Sequence, residues 1–140
     1  MKIRTMFAVS LFAAFAILLG GANLATAQMK APPGGKYQAV SKLVPLPDFI
    51  PGIGTLYVDP ATLPAGPFLA YDKGGKLVSS VYMIPLADMN AKKNFNNLAA
   101  AHEKVDHVDI YFNAGHPGVE NPHYHVVVWY ISPDKAAALK

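Results

Sequence analysis

Residues Val105–Ser132 read VDHVDIYFNAGHPGVENPHYHVVVWYIS. The runs Val105–Phe112 and His123–Ile131 are dense in β-branched and aromatic residues, the composition of strands. They flank Asn113–Pro122, a turn-rich loop carrying Gly115, His116, Pro117 and Gly118, so an antiparallel pair is the natural arrangement. Successive strand side chains point to opposite faces, so His107 and Asp109 share a face, as do His123 and His125. Pairing 109 with 125, and hence 107 with 127 and 111 with 123, gathers these four groups on one side. The other side then carries Val108, Ile110, Phe112, Tyr124, Val126, Val128 and Tyr130. A slip of one residue would split that apolar set, which favours this register. Val108, Ile110, Val126 and Val128 are expected on the buried face, with the histidines outside the apolar layer.

Working outward, Phe68–Asp72 and Lys76–Ile84 flank Lys73-Gly74-Gly75 and form a second hairpin pattern, the glycines supplying the positive φ of a tight turn. Shorter strands are expected at Tyr37–Val44, before the breaks at Pro45, Pro47 and Pro51, and at Gly54–Asp59; Pro60–Pro67 reads as a loop. Leu86–Ala101 is the expected interior helix, with Asp88 as N-cap and Phe95, Leu98 and Ala99 as an apolar stripe. Ser132-Pro133-Asp134 opens a short C-terminal helix, with Pro at the first helical position. The expected class is α+β, a mainly antiparallel sheet with one interior helix and a short C-terminal helix.

The chain begins with Lys2 and Arg4, an apolar run Met6–Leu19 and the small-x-small tripeptide Ala25-Thr26-Ala27. This is the pattern of a signal peptide cleaved after Ala27, and the run is too short to span a bilayer. The expected organisation is a leader over 1–27, a flexible Pro/Gly linker over 28–36, and one exported domain, periplasmic or extracellular, over 37–140. Without the leader no stable membrane span is expected. Its removal also takes Lys2 and Arg4, leaving ten lysines and no arginine against nine acids. A chain so nearly neutral, without arginine, is not built for nucleic acid. Cysteine is absent, which excludes disulfides, thiolate metal sites and catalytic thiols.

All five histidines, at 102, 107, 116, 123 and 125, lie within the segment 102–125. Neutral imidazole is the commonest transition-metal ligand. The candidate site is drawn from His107, His116, His123 and His125, with Asp109 as ligand or as a partner behind the ligands. Such donors suit Zn, Cu, Ni or Fe rather than Ca or Mg. The segment His102-Glu103-Lys104-Val105-Asp106-His107 is one residue too long for the helical zinc-protease motif, and Ser79-Ser80 has no nucleophile-elbow context. Three function classes stay open. They are an exported metal-binding module, a metal-dependent enzyme of unknown substrate with an open coordination position, and a metal-free structural β-domain forming homo-oligomers through its sheet. Any small-molecule ligand is left open.

From Ile53 onward the chain resembles an uncharacterised family of small secreted bacterial proteins. The likeness rests on GIGTLYVDP (Gly52–Pro60), YDKGGKLVSSVYMIP (Tyr71–Pro85) and Val105–Ser132. The family pattern is a Gly-His-Pro loop followed by a Pro-His-aromatic-Asp-x-His strand. Gly115-His116-Pro117 and Pro122-His123-Tyr124 match it, whereas His125 stands in place of the Asp and Val127 in place of the second His. The resemblance implies an exported α+β domain and a site that keeps His107, His116 and His123, with 125 and 127 left open; it implies no reaction. A weaker resemblance to cupins rests on His123-x-His125, without the Glu that follows in that family.

Overall fold

A computed structural model describes residues 28–140; the leader expected over 1–27 lies outside them. Six antiparallel strands form one sheet: β1 (Gln38–Ala39), β2 (Thr55–Val58), β3 (Phe68–Tyr71), β4 (Leu77–Pro85), β5 (His107–Asn113) and β6 (His123–Trp129). Their spatial order is β1-β2-β3-β4-β6-β5, which makes β5 an edge strand. Two short helices complete the fold, α1 (Leu86–Asn90) and α2 (Pro133–Ala137). The result is a mainly antiparallel sheet. Among the described residues no helix is long and apolar enough to cross a membrane.

The β3–β4 hairpin forms where the turn residues require it. Asp72 accepts the Gly75 amide through its carbonyl at 2.9 Å and the Lys76 amide through Oδ1 at 2.9 Å. Gly75 sits at φ +77°, a conformation that costs little only without a Cβ. The segment over 28–36 is tied to this hairpin, with Ala31 N donating to Gly75 O and Tyr71 Oη to Gln28 O.

Four expectations need correction. The interior helix stops at Asn90 instead of running to Ala101. Lys92 takes a left-handed φ of +58° and closes it, and Asn97 takes +57° further on, so the apolar stripe of Phe95, Leu98 and Ala99 is never assembled. The first strand is only Gln38–Ala39, because the chain coils into a 3-10 turn at Val40–Lys42. The β5–β6 register is offset by two residues from that expected. It sets His107 opposite Trp129, Asp109 opposite Val127, Tyr111 opposite His125 and Asn113 opposite His123. An even offset preserves the faces, so the histidines still share one side.

Which side is buried is also reversed. Along β6, His123, His125, Val127 and Trp129 are buried while Tyr124, Val126 and Val128 are partly exposed. On β5, Val108, Ile110 and Phe112 face solvent, Ile110 being 67% exposed. The physical reason is the cover. Val40, Val44, Leu46, Phe49 and Ile53 pack across the histidine side of the sheet, together with Ala136 and Leu139, onto a core of Val58, Phe68, Val81, Met83, Val127 and Trp129. Gly52 N donates to Leu139 O at 2.8 Å, clipping the two covering segments together. A smaller apolar cluster, Leu69, Tyr71 and Leu77, fills the opposite face beneath Tyr37, Tyr57 and Tyr130.

Candidate metal centre

The site lies at the turn end of the β5–β6 hairpin. His123 and His125 project from β6 into the covered side, where they are 0% and 6% exposed. His116 reaches them from the connecting loop, and the loop's construction explains why. His116 and Val119 exchange two backbone hydrogen bonds of 2.9 Å around Pro117-Gly118, a tight turn with Pro first and a positive-φ glycine second. Gly115 N donates to Asn113 Oδ1 at 2.8 Å. A Cβ on Gly115 would lie 2.3 Å from Glu120 O, and Gly118 is pressed against Val44. The loop is thereby folded back on itself and packed against the cover.

The three Nε2 atoms converge. His123 Nε2 stands 2.9 Å from His125 Nε2 and 3.2 Å from His116 Nε2, and the third separation is 3.4 Å. Nitrogens each about 2.0–2.1 Å from one tetrahedral zinc would be roughly 3.3 Å apart. The outer nitrogens are all engaged. His123 Nδ1 donates to Asn121 O at 2.7 Å, His116 Nδ1 donates to Pro117 O at 3.1 Å, and His125 Nδ1 meets Tyr111 Oη at 3.0 Å.

These outer bonds fix the chemistry of the inner edge. A carbonyl oxygen only accepts, so His116 and His123 in their neutral forms carry the proton on Nδ1 and present bare lone pairs at Nε2. A single proton on His125 Nε2 would serve at most one good hydrogen bond among three converging nitrogens. A cation satisfies all three lone pairs together. Burial, reinforced by His123 and His116 alongside, lowers the His125 pKa to about 4, so this imidazole stays neutral and able to coordinate. Burial, with the Asp109 charge adding to it, pushes the Tyr111 hydroxyl up, keeping it protonated beside His125. Hydrogen bonds from behind of this kind orient imidazole ligands.

Of the five residues drawn from the sequence, the structure brings His116, His123 and His125 together as a group able to hold a metal ion. His107 and Asp109 lie toward the other end of the hairpin. There His107 Nδ1 donates to Asp106 at 2.9 Å, its ring stacks on Trp129, and Trp129 Nε1 donates to Asp109 at 2.8 Å. The sequence reading passed over Tyr111 and the carbonyls of Asn121 and Pro117. Tyr111 lies two residues beyond Asp109, and that parity was the available signal; the carbonyls carry none.

No protein-family model matches the chain, and no curated protein is significantly similar to it. Among solved structures, the crystal structure of the hypothetical protein TTHB210 from Thermus thermophilus is 45% identical, with a TM-score of 0.60. The match covers 67% of this chain and 86% of that one. The chain belongs to the same family as TTHB210. Membership fixes ancestry and fold and names no activity, so the function rests on the site itself.

Proposed function

We propose that the protein is an exported domain that binds a divalent transition metal through His116, His123 and His125. The observation that carries this is the convergence of three Nε2 atoms within 3.4 Å of one another, each ring held from behind at Nδ1. All-imidazole ligation selects zinc, copper, nickel or iron over magnesium or calcium, and nitrogen separations of 2.9–3.4 Å suit one small ion of that group. Export accords with the basic-apolar-small pattern of residues 1–27. Protein purified without a His-tag from the extracytoplasmic fraction should contain one equivalent of metal per chain and begin at or near Gln28. Elemental analysis and intact mass test both points. Metal-free protein that takes up none of the four ions would refute the binding, and a mass retaining residues 1–27 would refute the cleavage.

A second reading, a metal-dependent enzyme, is favoured by the ligand count. Three imidazoles leave one vertex of a tetrahedron open, the arrangement in which a bound water is acidified and becomes a nucleophile at neutral pH. Solvent exchange at the ion, seen as water-proton relaxation in the cobalt- or copper-loaded protein, separates this open site from a closed structural one.

A further inference from the structure

A cavity of about 350 Å³ adjoins the histidine group. Its walls include Leu46, Ile53, Leu56, Phe68 and Met83, while His116, His125, Tyr111 and Asn113 form its polar end. No charged side chain lines it among the described residues. Leu43 and Leu63 also line it and remain 41% and 48% exposed, so it reaches solvent. Mostly apolar clefts of roughly 300–1,000 Å³ with a few convergent polar groups are the kind that hold small ligands.

Charge decides what its occupant must carry. Three neutral imidazoles leave the whole double charge of a divalent ion uncompensated, and neither Asp109 nor any other carboxylate stands in the group. An anionic oxygen at the open vertex would supply that compensation in a low-dielectric setting, where it counts most. The apolar walls supply the rest.

We propose that the cavity binds a small apolar monoanion of the alkyl or aryl carboxylate class. Its hydrocarbon body fills the space between the covering segment and the sheet, and its oxygen takes the open position on the ion held by His116, His123 and His125. The proposal rests on the metal reading above. It makes Tyr111 and Asn113 the polar groups beside the head group, and the covering segment that carries Leu46 and Ile53 the element that sets chain length.

The test is calorimetric titration of zinc-loaded, tag-free protein with acetate, butyrate, octanoate and octanol. Affinity should rise from acetate to octanoate by roughly fourfold per buried methylene until the cavity is full. Octanoate should bind at least tenfold more tightly than octanol, and at least tenfold more tightly to the zinc form than to the metal-free form. Leu46→Trp, filling the cavity, should keep zinc and lose octanoate; if that variant does not fold, the chain-length series on the unaltered protein still decides. Zinc uptake with octanoate no tighter than acetate would overturn the proposal and leave the metal site standing. Equal octanoate binding with and without zinc would also overturn it. Failure to take up zinc, copper, nickel or iron removes both readings, and is distinguished by measuring the metal first.

Discussion

At the open end of the β5–β6 hairpin, His107 donates to Asp106, stacks on Trp129, and shares its surroundings with the Trp129–Asp109 hydrogen bond. At the turn end, His116, His123 and His125 have their outer nitrogens engaged and direct their inner ones at one another. Both clusters sit on the same face of the same two strands. The first meets both of its donors with carboxylate oxygens, so protons alone satisfy it. The second is without carboxylates, and what it leaves open is a set of lone pairs that only a cation answers fully. Closeness of histidines is therefore a poor guide to metal. The direction in which unsatisfied nitrogens point is a better one.

The largest expected effect breaks the comparison at its stronger end. Zinc at a hundredfold excess over its dissociation constant stabilises a folded protein by about 2.7 kcal/mol. For a domain of this size that raises the melting temperature on the order of 10 °C. His123→Ala should abolish nearly all of that rise, and His107→Ala should retain it. Thermal melts with and without zinc measure both, and equal shifts in wild type and His123→Ala would remove the metal centre.

Acid should come next. The folded-state pKa of His125 is lowered from 6.5 to about 4, first by burial and then by His123 and His116. The unfolded chain therefore takes up this proton before the folded one does. Stability from this group is complete above about pH 6.5 and is lost as pH falls toward 4, by at most about 1.4 kcal/mol per pH unit in that window. Zinc binding needs the neutral imidazole, so protonation of His125 in the folded protein competes with zinc only as pH nears about 4. Urea titrations of metal-free wild type and His125→Phe at several pH values check it; the variant's stability should vary less steeply with pH.

Those two experiments bear on what the sequence shows and hides. The strands β5 and β6 are legible because both runs are dense in β-branched and aromatic residues. The β3–β4 turn is legible because Gly74-Gly75 stands between two strand-like runs. The histidine face is legible by parity, since a period of two settles sides. Parity does not settle the register step. That depends on the His116–Val119 turn, which lets β5 continue to Asn113 and sets it opposite His123. Parity does not settle burial either. The rule that the apolar side faces inward fails because the covering segment 40–54 packs on the other side, leaving Ile110 at the sheet edge in solvent. Burial of His123 is tolerable because Asn121 O accepts from its Nδ1, an interaction made by backbone and so unwritten in residue type. The helix over 86–101 misleads because left-handed Lys92 overrides a plausible apolar spacing.

A smaller effect sharpens the metal end from behind. Tyr111→Phe removes only the hydroxyl facing His125 Nδ1. Loss of such a supporting partner typically weakens metal affinity 10–100-fold while the ligands remain. Competition against a zinc chelator should show weakening in that range with one equivalent still bound at saturation. No change would mean that the backbone alone orients His125.

The smallest effect belongs to the open end, and it decides whether the two clusters are separate. Asp109→Ala removes the acceptor of Trp129 Nε1. Its side chain is 55% exposed, so water replaces part of the lost bond, and the expected cost is about 1 kcal/mol, below the usual range for a hydrogen bond involving a charged group. Zinc affinity should stay within about twofold of wild type, since Asp109 lies opposite Val127, two register pairs away from Tyr111 and His125. Were Asp109 a ligand, as the hairpin pattern alone allows, the same substitution would lower affinity by at least tenfold and shift the pH dependence with it. Measuring stability in urea alongside the chelator competition separates these outcomes. A loss of stability without a loss of zinc places Asp109 with the indole and His107, in the cluster that protons already complete.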